Sequence, residues 1–364
     1  MVFFFSPSYI IRIMTTPTPS FPCRFSVDLA DLSRHRAALM GIAMLLIMFF
    51  HTSGLQRGTL GFAINRCGNV GVDMFLFLSG VGLWFSFSRN SSLKHFFLRR
   101  YLRIYPVWLL VAGYFYLSDY VAHGRQSANL WELVANISVN WCFWQRDAWE
   151  FWFIPSIMMM YTFAPAYMLL IRRQELWRWL PVVAMVFCVM VQYVAPLHHA
   201  VSHIEIFWSR IPIFLIGINM GQSIREGRRY EGSSLGFVLL LFALSAYTCI
   251  TLEDGLRGRF PLFMERMVYI PLSITLMLLC CQMLRRLPRQ VDMVFAFVGG
   301  VSLEIYLIHV NYILPLIKPL HWGFWGTSLS MIALSVPAAW LLHQLVEKGV
   351  ARRIERIIQK NRNP

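Results

Sequence analysis

Apolar stretches of roughly 18 to 25 residues recur along this chain, and no other feature restricts its fold as strongly. About 20 consecutive apolar residues in a helix are enough to cross the hydrocarbon core of a bilayer. The composition agrees, since 57% of the 364 residues are hydrophobic and 14% are charged, against about 45–50% and about 25% in soluble domains. The sequence therefore predicts an all-α membrane protein.

Ten transmembrane helices are predicted from these stretches. Their approximate bounds are residues 37–55, 68–88, 102–122, 151–171, 177–196, 205–223, 235–252, 262–284, 291–316 and 325–347. The segment at 130–145 mixes apolar, aromatic and polar residues, so we expect it to lie at the membrane interface. We expect one transmembrane domain over 33–350, after a disordered cytoplasmic segment at 1–32 and before a basic cytoplasmic tail at 351–364.

The distribution of basic residues predicts the orientation of this bundle. Ten spans place both termini on one side of the membrane. If that side is the cytoplasm, it holds 24 of the 33 Lys and Arg residues, as the positive-inside rule requires. The net charge of +15 then reflects topology, so nucleic acid is not an expected partner. We predict a multi-pass protein of the inner or plasma membrane, surrounded by lipid.

One pair of ionisable residues is predicted at the outer ends of the first two spans. His51 lies near the end of span one and Asp73 near the start of span two, at similar depth in the antiparallel hairpin. A carboxylate beside an imidazole is the usual arrangement of a general base, because the acid fixes the tautomer. A hydrogen bond that only packs two helices explains the pair equally well. Depth alone leaves both interpretations open.

Two arginines share a helix face at the cytoplasmic end of span three. Arg100 and Arg103 are three residues apart, a spacing that aligns their side chains. Paired guanidinium groups suit a phosphate-bearing ligand, because each binds two oxygens. Basic residues at such a position are more often topology anchors, and the residues alone favour that role.

Three further candidates are ionisable residues within predicted spans. Glu304 and His309 lie five residues apart in span nine, so their side chains point about 140° apart and do not form a local pair. His309 is expected to share its face with Ser302, and one of the two ionisable residues to be a packing contact. Arg210 begins span six and is a candidate counter-ion for an acid. We find no metal-ligand spacing and expect no metal.

At these residues the chain resembles the acyltransferase 3 family of multi-pass membrane O-acyltransferases. The matching segments occur in the family's order and are Gly41–His51, Gly71–Gly80, Arg100–Pro106, Trp152–Pro155, Arg210–Gly217, Ser302–His309 and Glu347–Lys348. The resemblance covers roughly residues 33–350. One departure concerns a basic residue that the family usually has eleven positions before the histidine. Met40 occupies that place here, and Arg36 lies one helical turn earlier.

The resemblance implies transfer of an acyl group, usually acetyl, from cytosolic acyl-CoA to a hydroxyl of a surface or secreted glycan. It implies catalytic roles for His51 and Asp73, with His51 as the base or as the carrier of a covalent acyl group. Arg100 and Arg103 would bind the CoA phosphates. From its position one turn below Met40, Arg36 either substitutes for the missing basic group and assists them, or that group is lost and donor binding is weakened. The acceptor, the acyl chain and the oligomeric state stay open, and Trp152, Arg210, Glu304 and His309 are further candidates.

A transporter or flippase for a glycolipid or small solute is the competing interpretation. Intramembrane His, Asp and Glu residues would then relay protons. Many transporters contain two related halves with broken spans in matching places, and this sequence shows neither feature. The pattern therefore favours the enzyme over the transporter.

Overall fold

The computed structural model describes residues 26–146, 148–256 and 258–351. Most of the predicted N-terminal segment and nearly all of the predicted basic tail lie outside these residues. The described chain is almost wholly helical. A short antiparallel ladder pairs β1 (Val27–Asp28) with β2 (Arg229–Tyr230) and ties the start of the chain to the loop near residue 229.

Eighteen α-helices follow one another along the described residues. They are α1 (Ala30–Arg34), α2 (Arg36–His51), α3 (Leu60–Cys67), α4 (Val70–Arg89), α5 (Leu93–Val121), α6 (Leu130–Val139), α7 (Trp141–Arg146), α8 (Phe153–Arg173), α9 (Leu180–Tyr193), α10 (Ala195–Val201), α11 (Glu205–Trp208), α12 (Ile211–Glu226), α13 (Ser234–Asp254), α14 (Leu262–Leu284), α15 (Arg289–Gly300), α16 (Ser302–Ile308), α17 (Leu314–Ile317) and α18 (Gly323–Val346). Short 3₁₀ turns occupy Glu175–Trp179, Ser202–Ile204 and Lys318–Leu320, and π-helical turns occupy His309–Ile313 and Glu347–Ala351.

Six to eight spans, rather than ten, are long and apolar enough to cross a membrane among the described residues. Six single segments qualify: Leu60–Arg89, Phe153–Arg173, Glu175–Tyr193, Ser234–Asp254, Leu262–Leu284 and Gly323–Gly349. Two more qualify if each bent pair counts as one span, namely Ala195–Trp208 with Ile211–Glu226, bent by 46°, and Arg289–Gly300 with Ser302–Leu320, bent by 54°. The all-α membrane class stands, whereas the predicted number of ten is not reached.

Two predicted spans account for the difference. Helix α2 has only 16 residues, which gives it a length of about 24 Å against a hydrocarbon core of about 30 Å. Helix α5 has 29 residues, but Lys94, Arg99, Arg100 and Arg103 lie in its first half. After Arg103, the apolar residues of α5 are diluted by Tyr105, Tyr114, Tyr116, Asp119 and Tyr120. Shortness in α2 and this mixture of polar residues in α5 are the physical reasons why neither helix is identified as a span by length and composition alone.

Two close helix crossings hold the centre of the bundle together. Where α2 crosses α15, a Cβ atom on Gly41 would lie 1.9 Å from the carbonyl oxygen of Phe295. Where α4 crosses α12, a Cβ atom on Gly217 would lie 2.3 Å from the carbonyl oxygen of Phe77. Small residues at helix crossings let backbones approach closely, which is how membrane helices gain packing energy without a hydrophobic effect between them.

We predict that Gly41→Ala destabilises the protein. The new methyl group would overlap the α15 backbone, and overpacking of this kind costs about 1–3 kcal/mol. Thermal unfolding of the detergent-purified protein should show a lowered midpoint.

Gly113→Ala in α5 is the matched control, because a Cβ atom there meets no heavy atom within 4 Å. Alanine at an open helical site is expected to be neutral or mildly stabilising. Equal midpoints for the two variants would contradict the proposed crossing.

Candidate active site

A cavity of about 650 Å³ runs alongside helix α2. The α2 residues that line it are Arg36, Met40, Met44, Ile47, Phe50 and His51. The spacing of three or four residues from Arg36 to Ile47 and on to His51 places these residues on one helical face. Helices α3, α4, α5, α8, α11, α13, α14 and α16, with the segments before α4, before α8 and after α13, supply the other walls. The cavity therefore extends from the first residue of α2 to its last.

Three arginines meet at the α2 N-terminal end of the cavity. Arg36, Arg100 and Arg103 all line it, and the Nε of Arg36 donates to the carbonyl oxygen of Leu78, 3.2 Å away. The absence of a side chain at Gly82 makes room for Arg36, since a Cβ atom there would lie 2.5 Å from its Nη2. The placement of Arg36 is the one that a substitute for the missing basic residue at position 40 would need.

Among the residues that the structure describes, none that is acidic lines this arginine end. The acidic residues among those described that line the cavity are Glu253 and Glu265, and both lie towards the His51 end. Arg100 also lies near an aromatic ring, with its Cζ 6.0 Å from the ring centroid of Tyr161. Three guanidinium groups without a carboxylate form a site suited to an anion with several charges.

His51 lies at the last residue of α2, where the cavity meets the C-terminal end of that helix. Its Nδ1 lies 2.9 Å from the carbonyl oxygen of Ile47. A carbonyl only accepts, so the hydrogen-bond network assigns the proton of a neutral imidazole to Nδ1. The Nε2 of His51 then carries the lone pair and can accept a proton.

His309 is the ring partner of His51. Its Nε2 lies 3.3 Å from the Nδ1 of His51, and the two ring centroids are 5.1 Å apart. The Nδ1 of His309 lies 2.8 Å from the carbonyl oxygen of Ile305, which leaves its Nε2 as an acceptor for the shared proton. His309 is fully buried and begins the π-helical turn after α16; such turns often occur at functional sites.

The predicted contact between Asp73 and His51 is not formed. Asp73 is 1% exposed, and its Oδ2 accepts instead from the Nε of Arg210 at 3.4 Å. Among the described residues no hydrogen bond joins Asp73 to His51. The reason is electrostatic, because a buried carboxylate needs a counter-charge more than it needs a neutral ring.

Arg210 links Asp73 to the cavity wall. It is fully buried, and its Nη2 donates to the Oδ1 of Asn69 at 3.1 Å. Its Cζ lies 5.1 Å from the ring centroid of Trp152, close enough for a cation–π contact. Asn69 and Trp152 both line the cavity. The Asp73–Arg210 pair therefore lies behind the wall and holds two residues that face inwards.

Glu304 and His309 diverge as the helical spacing predicts. Glu304 is 5% exposed, and its Oε1 lies 2.7 Å from the Nδ1 of His343 on α18. Ser302, expected on the face of His309, lines the cavity with Tyr306, whereas Glu304 is not among the described lining residues. Glu304 thus joins two helices at a distance from the cavity, and His309 supports the residue that faces it.

A cluster of charged residues at the His51 end was not predicted from the sequence. Arg66, Glu253, Glu265 and Arg266 all line the cavity there. Glu265 and Arg266 fall inside the predicted span 262–284, and an ionisable residue within a span signals function by default. That rule, applied to every span, would have found this pair. Among the described residues, no group of three or more His, Cys, Asp or Glu is placed to hold a metal ion.

Comparison with known proteins identifies the family to which this chain is similar. The chain matches the acyltransferase 3 family, described as an acyltransferase domain, over residues 38–344. It is also 34% identical over 134 residues to a protein of Acidianus two-tailed virus named "Putative acetyltransferase ORF330". That similarity covers 33% of this chain and only 39% of the viral protein. No solved structure matches the chain significantly. Since the family match takes in most of the chain, including His51 and His309, the chain belongs to the acyltransferase 3 family.

Proposed function

We propose that this acyltransferase moves an acyl group, typically acetyl, from cytosolic acyl-CoA to a hydroxyl of a surface or secreted glycan at the outer face. One observation carries the proposal. A single cavity is lined by three arginines beside the first residue of α2 and by His51 at its last residue. These ends are about 22 Å apart along the helix axis. A donor held by its phosphates at one end can therefore present its acyl group at the other.

The arginine end is the proposed donor site. Its guanidinium groups belong to the side of the bundle that the positive-inside rule assigns to the cytoplasm, where acyl-CoA is made and kept. Arg36, Arg100 and Arg103 would each hold phosphate oxygens through two N–H groups. Apolar side chains from α2 line the cavity beyond them, which suits the uncharged arm of CoA.

His51 is the proposed general base. Its Nε2 takes the proton from the acceptor hydroxyl, and the oxygen attacks the thioester carbonyl carbon. The new C–O bond forms and the C–S bond breaks. The CoA thiolate leaves and takes the proton from the imidazolium, which restores neutral His51. Throughout, the carbonyl of Ile47 and the Nε2 of His309 accept from Nδ1 and hold the ring in the required tautomer.

The transporter interpretation loses its physical basis in this arrangement. A proton relay needs neighbouring groups that exchange protons along a path. Asp73 is instead paired with Arg210, and Glu304 with His343. The family match also describes an acyltransferase domain.

We predict that His51→Ala lowers acyl transfer by about 10²–10⁴-fold, the usual contribution of a general base. The measurement is transfer from radiolabelled acetyl-CoA to a glycan extract, with the purified protein in lipid vesicles. His199→Ala is the control, because His199 is exposed on α10 and lies outside the cavity walls. Full activity of the His51 variant would refute the assignment.

We predict that Arg100→Ala raises KM for acetyl-CoA by about tenfold or more, since a hydrogen bond to a charged group contributes about 1.5–3 kcal/mol. The turnover number should change little, because the phosphates do not react. Arg99→Ala is the matched control. It removes the same charge one residue away, and Arg99 is not among the described residues that line the cavity. Equal effects of the two variants would mean that Arg100 only anchors the helix.

We predict that His309→Leu lowers kcat by about tenfold and leaves KM for acetyl-CoA unchanged, because His51 loses the acceptor that orients it. His309→Gln should restore most of the turnover, since its side-chain oxygen can accept the same proton. Asp73→Asn serves as the contrast and is expected to act on stability, by leaving Arg210 without its buried counter-charge. Equal losses of kcat in the Leu and Gln variants of His309 would reject the positioning role.

A further inference from the structure

The His51 end of the cavity contains two buried charged side chains that are adjacent in sequence. Glu265 lies in the first turn of α14, Arg266 follows it at the start of the second, and both line the cavity. Arg266 is 3% exposed. The start of α14 is fixed from behind, because the N–H of Phe263 donates to the Oε1 of Glu205 at 2.7 Å. The two side chains therefore occupy defined positions in the wall.

Within this ion pair, several polar atoms lack the hydrogen bonds that buried charges normally make. The Nε and Nη1 of Arg266 and the Oε1 of Glu265 are buried without a hydrogen-bond partner among the described residues. The Nη1–Oε1 distance is 3.9 Å, too long for a hydrogen bond. An unsatisfied buried group costs about 1–3 kcal/mol, and more when charged. Donors and acceptors that line a cavity in this state are available to a ligand.

A second ion pair lies between this position and His51. The Nε of Arg66 lies 3.9 Å from the Oε2 of Glu253, and the Cζ of Arg66 lies 3.9 Å from the ring centroid of Phe50, the residue before His51. Among the described lining residues, this end of the cavity thus presents two guanidinium groups and two carboxylates, whose charges balance to zero. The arginine end, counted in the same way, presents three guanidinium groups and no carboxylate.

We infer that Glu265 and Arg266 form a subsite for an uncharged acceptor with adjacent hydroxyl groups, such as a neutral sugar ring. One hydroxyl donates to the carboxylate of Glu265 while its neighbour accepts from the guanidinium of Arg266. A phosphate or carboxylate on the acceptor would be repelled by Glu265 as strongly as Arg266 attracts it. This subsite rests on the proposed acyl transfer and specifies its second substrate.

Aromatic rings complete the subsite. Trp149 and Phe260 line the same end of the cavity and are about half exposed, at 51% and 47%. Trp152 lines it too, but its ring is already engaged with Arg210. The sequence alone favours Trp149 as a lipid anchor, because tryptophan is common at membrane interfaces. Because Trp149 lies in the cavity wall, we assign to it and to Phe260 the contact with the apolar face of the acceptor.

The test compares three soluble acceptors that share one ring and differ in charge: methyl glucoside, methyl glucuronide and glucose 1-phosphate. Each is supplied with radiolabelled acetyl-CoA to the full chain in lipid vesicles. Wild type is expected to acetylate the neutral glycoside with the highest kcat/KM. Glu265→Gln, which keeps the shape and removes the negative charge, should raise KM for the glycoside about tenfold. It should also reduce the preference for the glycoside over the two anions.

Two controls separate this effect from misfolding. Asp254→Asn removes an exposed acidic charge beside Glu253 that is not among the described lining residues, and it should leave acceptor preference unchanged. KM for acetyl-CoA and the unfolding midpoint should stay at wild-type values in Glu265→Gln. Arg266→Lys is a second variant, which keeps the charge and loses the two-pronged geometry, and it too should raise KM for the glycoside.

The outcomes distinguish this inference from the proposed function. If wild type does not turn over acetyl-CoA with any acceptor or with water, the proposed function fails. If wild type turns over acetyl-CoA but prefers an anionic acceptor, or if Glu265→Gln leaves acceptor preference unaltered, the subsite is wrong and the acyl transfer stands.

Discussion

Hydrocarbon solvates no charge, so every ionisable side chain within the bundle must be paired or must face the cavity. The described residues meet this condition in two ways. Asp73 with Arg210 and Glu304 with His343 are paired between helices and lie behind the cavity walls. The arginine group and the Glu265–Arg266 pair line the cavity itself. The cost of placing an unpaired charge in hydrocarbon therefore divides the charged residues into two groups. One group is paired between helices and stabilises the bundle, and the other lines the cavity, where it can contact ligands.

Helix α2 takes part both in packing the bundle and in lining the cavity, and it uses a different face for each. One face lines the cavity from Arg36 to His51. Gly41 lies about 140° away from Arg36 on the helix and contacts the α15 backbone so closely that no side chain fits. Packing on one face thus fixes the position of the other. The imidazole of His51 gains its fixed tautomer from the carbonyl of Ile47, one turn earlier on the same helix.

Much of the fold follows from hydropathy and spacing, because both are properties of a single segment. The predicted span 262–284 coincides with α14, and helical spacing separated Glu304 from His309. The choice of partner between segments was not predictable in the same way. His51 and Asp73 have similar depth, but depth is one coordinate, and the direction in which each side chain points depends on how the helices rotate against each other.

The same limit explains the other differences from the sequence analysis. The bends between α11 and α12 and between α15 and α16 depend on tertiary packing, so a linear scan counts each bent pair as one straight span. His309 reaches His51 because α16 gives way to a π-helical turn at that residue, a local widening that regular periodicity does not include. Arg36 lines the same cavity as Arg100 and Arg103, and Gly82, which no sequence pattern singled out, leaves room for its guanidinium.

The distribution of charge along the cavity gives the proposed reaction a direction. Met40, Met44 and Ile47 separate the arginine end from His51 and form an apolar section of wall. With methionine rather than a basic residue at position 40, the polyanionic part of CoA gains nothing by moving further along α2. In the proposed reaction its phosphates stay with the three arginines, and only the uncharged arm and the acyl group extend towards His51. An uncharged acceptor at the opposite end then meets the thioester without competing for the arginines, so the two substrates occupy one cavity but bind at opposite ends of it.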